Sequence, residues 1–206
     1  MERYLPVNIK TEVITGGPSK NVFYPQVTGM KNESFQSYMN QQIVDLTQAL
    51  IDLQYGNMPS TVEEVIGEYE VKNNQRQVLS LSHSNYTYHR QAAHGMTYIK
   101  SLTFDLKEEG LCSLKGLFKP GSDYVQRLST IIKAQIEERD IQLLEPFTEI
   151  NPNQDYYIAD KAIVIYFQLY DITPYVFGFP MFPISVYEIQ DIIEEDGPLG
   201  RMATNK

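Results

Sequence analysis

The sequence predicts an α+β fold: antiparallel sheets with two main helices packed against them. Three observations carry the fold class. Two long windows repeat apolar residues at spacings of three and four, while most of the rest alternates or forms short apolar runs between turn residues. The order is a strand-rich half, a helix, a second strand-rich half, a second helix and further strands, with no internal repeat or low-complexity linker. And 206 residues, 42% of them hydrophobic, are enough for a packed core.

In order, VNIKTEVI and VFYPQVTGM read as two strands joined at GGPSKN. Pro25 lies inside the second run, and a residue without an N–H belongs at an edge or a bulge. Asn32 is the N-cap expected for the first helix and Glu33 suits its first turn. Phe35, Met39, Ile43, Leu46, Leu50 and Leu53 form its expected buried stripe. Gly56 and Pro59 end that helix. From Val62 to Leu106 three strands form an antiparallel meander, with the first turn expected at Asn73-Asn74 and the second connection at HRQAAHG. On the middle strand Val78, Ser80, Ser82, Ser84 and Tyr86 share one face, and Leu79, Leu81, His83 and Asn85 share the other. A short hairpin around Gly110 follows.

The second helix is expected after Lys119-Pro120-Gly121, capped by Ser122 with Asp123 in its first turn. Leu128, Ile131, Ile132 and Ile136 form its buried stripe. NPNQDYYIADKAIVIYFQLY reads as a hairpin. Its second strand, Ala162 to Leu169, is apolar on both faces and so belongs at the centre of a sheet covered on both sides. Val186 to Glu195 is expected to form a short helix, and the tail, 196–206, to fray.

Chemistry is mostly excluded rather than indicated. A net charge of -9 argues against nucleic acid, whose phosphates need Lys and Arg clusters, and agrees with a basic protein partner. No apolar run approaches the ~20 residues of a membrane span. The opening MERYLPVNIKTEV lacks the basic-then-apolar pattern of a leader. There is no G-x-S-x-G elbow, no P-loop and no dinucleotide fingerprint, so neither a catalytic residue nor a cofactor is expected. His83, His89 and His94 share a twelve-residue window near Asp105. Their spacing suits no helix-borne ligand pair and no Cys or Glu cluster completes a set, so no metal is expected. Cys112, the single cysteine, reads as a small buried hydrophobe.

The outlier is aromatic: fifteen tyrosines and no tryptophan. YDITPYVFGFPMFPISVYEI concentrates apolar, proline-stiffened surface in what should be a polar connection. Tyrosine suits interfaces and sugar binding because it buries area at low entropic cost and keeps a polar tip; it is also a good strand residue.

At FKPGSDYVQRLSTIIKAQI and NPNQDYYIADKAIVIYFQLYDITPYVFGFPMFPI the chain resembles the RsiV-like extracytoplasmic domain family. This family comprises ectodomains of lysozyme-sensing anti-sigma factors and ancillary domains of peptidoglycan and polysaccharide deacetylases, common in Firmicutes. The matching elements LF-P-GSDY, D-YY, IVIYF, Y-I-PY and G-P-F-I appear in order over about residues 110 to 190. The preceding half, with HRQAAHGMTYIKSLTFDL, resembles the deacetylase-associated domain that accompanies it. Thr173 stands where the family commonly has Ala before Pro-Tyr. The resemblance implies a division into 1–108, 109–195 and the tail. It also implies an extracytoplasmic, non-catalytic binding module for a lysozyme-like muramidase or a peptidoglycan fragment. The relatives' sigma-binding segment, membrane helix and catalytic deacetylase domain have no counterpart in these residues.

Two loops are the expected partner-binding surface. One supplies Tyr88, His89, His94, Gly95 and Met96; the other supplies Pro174, Tyr175, Phe177, Phe179 and Pro180. In the second, Pro174 and Pro180 stiffen the backbone and Gly178 permits a turn. Tyr175, Phe177 and Phe179 are expected outside, and Ile172, Val176 and Phe182 on the core. The alternatives are a cell-wall glycan hydrolase or deacetylase using the His83, His89 and His94 region with Asp105, and an intracellular structural protein without a ligand.

Overall fold

The computed structural model of the chain describes residues 5–204. Its elements are β1 (Asn8–Gly17), β2 (Lys20–Thr28), α1 (Glu33–Tyr55), β3 (Val62–Gln75), β4 (Val78–His89), β5 (Met96–Asp105) and β6 (Gly110–Leu111). They continue with α2 (Tyr124–Glu138), β7 (Tyr156–Ala159), β8 (Ala162–Tyr166), β9 (Met181–Ser185) and α3 (Pro198–Ala203). β1 to β6 form one sheet in sequence order, and β7-β8-β9 a second. The fold is the expected α+β. Pairing is antiparallel except for a short parallel contact where Lys20–Val22 meets Val65–Gly67.

β2 pairs with β3 only as far as Val22, so Pro25 lies beyond that contact. Val27 turns its N–H and C=O away from β1, onto the Asn40 side chain at 2.8 and 2.9 Å. Pro25, two residues earlier, has the same orientation, so its missing donor costs no ladder bond.

α1 is capped as expected, with Asn32 Oδ1 accepting from Phe35 N at 3.1 Å. Phe35, Met39 and Ile43 cover Leu79 and Leu81, on one of the two expected faces of β4, and Phe104 of β5. The stripe then runs through Thr47, Leu50, Ile51 and Gln54, whereas Leu53 is 53% exposed. At 3.6 residues per turn the face reaches 47 and 54; angle overrides hydrophobicity there. The β3–β4 turn is likewise not at Asn73-Asn74. It lies at Arg76 and Gln77, both at positive φ (53° and 58°). The asparagines work as bulge braces instead: Asn73 Nδ2 donates to Val78 O at 2.7 Å, and Asn74 Nδ2 to Val7 O at 2.9 Å.

The serine face of β4 lets the second sheet approach closely. Ser80 Oγ accepts from Ile158 N at 3.0 Å, and Ser101 and Tyr166 share a hydroxyl bond at 2.8 Å. β8 is central and covered on both faces as expected. Ile163 and Ile165 join Leu128, Ile132 and Ile136 of α2, while Val164 and Tyr166 face Ile99 of the first sheet. The α2 cap is Asp123, not Ser122: its carboxylate accepts from Gln126 N at 3.3 Å. α2 also shields the outer edge of β9. Gln135 and Arg139 donate to Pro183 O and Met181 O at 2.8 and 2.9 Å, on the side where Pro183 has no N–H to offer.

Two C-terminal expectations fail. Residues 186–195 form successive turns rather than a helix, because Lys119 N takes Ile192 O and Glu194 N takes Leu117 O, drawing the segment alongside 117–119. The tail does not fray through Thr204. Leu199 and Met202 are buried, and Arg76 donates to the Arg201, Met202 and Thr204 carbonyls at the end of α3. Arg201 reaches the Asp105 carboxylate at 2.7 Å. Residues 205 and 206 lie outside the described residues.

Candidate functional site

The two expected loops meet. Each is positioned by side chains that substitute for strand pairing. Beyond β6, the edge of β5 at Ile99 is paired by one glutamine: Gln168 Oε1 accepts from Ile99 N at 3.0 Å and Nε2 donates to Ile99 O at 2.6 Å. Gln168 also donates to Asp155, which pairs with Lys100 at 2.8 Å. Gln168 N donates to Asp171 Oδ2 at 2.9 Å, closing a turn in which Tyr170 takes φ 68°. The aromatic stretch starts from this anchor.

Thr173 is fully buried, so the segment dips into the core before turning out again. Tyr175–Phe177 is a single 3₁₀ turn, ended by Gly178 at φ 69°, as expected for a glycine there. Phe182 is in the core and Ile172 packs against it. Val176 does not anchor: it is 86% exposed, because the tight turn points it to solvent. Tyr175 and Phe177 are exposed as expected, whereas Phe179 is only half-buried. Pro180 is buried, its carbonyl taking Phe167 N at 3.1 Å, so it supports the loop instead of presenting a surface. Pro174 is half-buried.

In the β4–β5 loop, Tyr88 Oη donates to Ala92 O at 3.2 Å. His89 sits between Thr61 Oγ1 (2.7 Å) and Gln54 O (2.8 Å), which ties it to the end of α1. Gly95 is buried beneath Tyr86, whose ring occupies the space a Cβ would need. Met96 is half-buried. His94 makes the junction. Its ring lies 4.4 Å from Tyr175 and 6.4 Å from Tyr170, with 5.5 Å between the two tyrosines. Nδ1 donates to Gly95 O at 2.8 Å, leaving Nε2 to accept from Tyr170 Oη at 3.2 Å; Tyr175 Oη donates to Gly95 O at 3.3 Å. The result is a continuous exposed face of Tyr170, Tyr175, Val176, Phe177 and His94. Tyr170 and Val176 are not among the expected contact residues. Tyr170 was legible as an aromatic opening the loop; nothing in the sequence signals the outward Val176.

The three histidines have separate surroundings. His83 is 2% exposed, between β4 and α1, and burial lowers its pKa from 6.5 to about 4. His89 braces α1, and His94 is stacked on Tyr170 and tilted against Tyr175. Asp105 is occupied by Arg201. Among the described residues, no group of three or more His, Cys, Asp or Glu could hold a metal ion. Cys112 is partly buried, and burial, with Asp105 nearby, pushes its thiol up to about 12, far from a reactive thiolate. No helix among the described residues is long and apolar enough to cross a membrane.

Comparison with known proteins identifies relatives of the fold. Residues 115–187 match the model of a family described as a protein of unknown function, DUF3298. The chain is 27% identical over 191 residues to the anti-sigma-V factor RsiV of Bacillus subtilis, covering 85% of this chain and 65% of that protein. It is 24% identical over 137 residues to the peptidoglycan-N-acetylmuramic acid deacetylase PdaC of the same organism, covering 62% of this chain and 29% of that protein. The chain thus spans less than two thirds of either relative. Two crystal structures of DUF3298 family members share the fold. The one from Bacteroides fragilis has a TM-score of 0.69 at 14% identity, over 97% of this chain and 98% of that one. The one from Pseudomonas aeruginosa has 0.66 at 16%, over 94% and 96%. Residues 115–187 thus match a DUF3298 domain, and the chain is distantly similar to an anti-sigma factor and to a deacetylase.

Proposed function

We propose that this chain is a non-catalytic binding module whose Tyr170–Tyr175–Val176–Phe177–His94 face holds a basic, lysozyme-like muramidase at the cell envelope. The observation that carries the reading is the convergence of two loops, about eighty residues apart in sequence, into one exposed aromatic face held rigid from below. Rigid aromatic surface binds at low entropic cost. The RsiV relative supports the partner class, and the net charge of -9 suits a basic partner. In this reading residues 1–108 brace the first loop and 109–195 supply the second. A peptidoglycan fragment is the second reading, favoured by the PdaC relative and by ring faces suited to stacking on sugars. The catalytic alternative loses its polar core, since His83, His89 and His94 share no site. Titration with hen-type lysozyme and with soluble peptidoglycan fragments, at low and moderate salt, tests the proposal. A salt-sensitive micromolar complex with lysozyme is expected. Binding of fragments alone would select the glycan reading, and binding of neither would refute both.

A further inference from the structure

We infer that Gln54, buried at the end of α1, is the positioning residue of the aromatic face. This rests on the reading of that face as the partner surface. Gln54 is 7% exposed and touches none of the exposed rings. Its Nε2 donates to Asn85 O at 2.5 Å and to Met96 O at 2.9 Å, on the two strands that carry the β4–β5 loop. Its own carbonyl accepts from His89 Nε2 at 2.8 Å. One side chain therefore spans both legs of the hairpin, and its backbone holds a residue at the start of the loop. Met96 directly follows Gly95, whose carbonyl receives both Tyr175 Oη and His94 Nδ1. The height of Gly95 above α1 decides whether His94 meets Tyr175. A primary amide suits this position, because two carbonyls, one buried and one half-buried, need a donor with two hydrogens and leaving them unmet is costly. An apolar side chain at 54 would fill the space and let the loop lift toward water.

The test is Gln54→Met, which keeps length and removes the donor. The first readout is the set of His94 ring-proton NMR signals in the protein alone, since the Tyr175 ring, 4.4 Å away, displaces them from the positions they take without it. They are expected to return toward those positions in the variant, with a melting curve that still shows a folded protein. Affinity for hen-type lysozyme is expected to fall about tenfold, and Tyr175→Ala added to Gln54→Met is expected to cost far less than Tyr175→Ala alone. His94 signals unchanged from wild type in folded Gln54→Met would overturn the inference. If Gln54→Met does not fold, Gln54→Glu decides. Its carboxylate repels the two carbonyls at about pH 8, and its protonated form, with one O–H, donates again to one of them at about pH 5. Tyr175 ring signals, compared with wild type at each pH, should depart at the higher pH and return part of the way at the lower; no pH-linked difference would overturn the inference. The spectra need no partner, so a failure of lysozyme to bind counts against the proposed function alone.

Discussion

His83 makes the stability of this protein depend on pH in a way that can be isolated. Its imidazole is 2% exposed, packed among Val22, Phe23, Thr47 and Leu50, with Glu68 lining the same small cavity and the Tyr69 ring 6.5 Å away. Neither ring nitrogen has a protein hydrogen-bond partner. Burial lowers its pKa from 6.5 to about 4. The unfolded chain therefore takes up a proton near pH 6.5 that the native state refuses until about pH 4. Stability from this group is fully present above pH 6.5 and is lost as pH falls toward 4. At about 1.4 kcal/mol per pH unit, the loss is about 3 kcal/mol. His83→Gln, which cannot charge, removes it. Urea unfolding of both proteins at pH 7 and pH 4 is the assay, because taking the difference cancels the other titrating groups. Wild type should lose about 3 kcal/mol more than the variant, or about 6–12 °C in melting temperature for a chain of this size. Parallel stability curves, within about 0.5 kcal/mol, would refute the reasoning and show that His83 is hydrated in the native state.

Three further outcomes follow from the geometry. Tyr175→Ala should weaken partner binding by about 2 kcal/mol, roughly thirtyfold, with little change in melting temperature; a melt lowered by more than ~10 °C would make the loop structural instead. Val176→Asp should change stability by less than ~0.5 kcal/mol, since the side chain is 86% exposed, yet impair binding; unchanged affinity by titration would remove it from the face. Arg201→Ala should cost about 3 kcal/mol in denaturant unfolding, the low end for a broken buried ion pair, because Asp105 keeps the Lys107 and Glu108 amides; a cost below ~1 kcal/mol would show the pair to be screened.

Periodicity made the elements legible, and geometry at their ends did not. The α1 cap, the β4 faces and the doubly covered β8 follow from spacing alone. Leu53 misleads because a leucine attracts notice while the helix angle assigns that place to Gln54, a polar residue buried by its hydrogen bonds. Asn73-Asn74 misleads for the converse reason: asparagine suits turns, but here its amide braces a bulge. Both loops of the face could be named from composition. Their meeting could not, because it depends on Gln168 and Gln54 pairing backbone groups distant in sequence, and an isolated glutamine leaves no pattern to read.

The shielding of β9 has a consequence for synthesis. An unpaired strand edge invites pairing with another chain while a protein is still incomplete. Gln135 and Arg139, which occupy the outer carbonyls of β9, lie on α2 and at the residue just after its end at Glu138, more than forty residues before the strand begins. On a ribosome the cover is therefore made before the edge. When Met181–Ser185 emerges, β8 can take one side and α2 the other, so the second sheet can close without presenting a free template to neighbouring nascent chains.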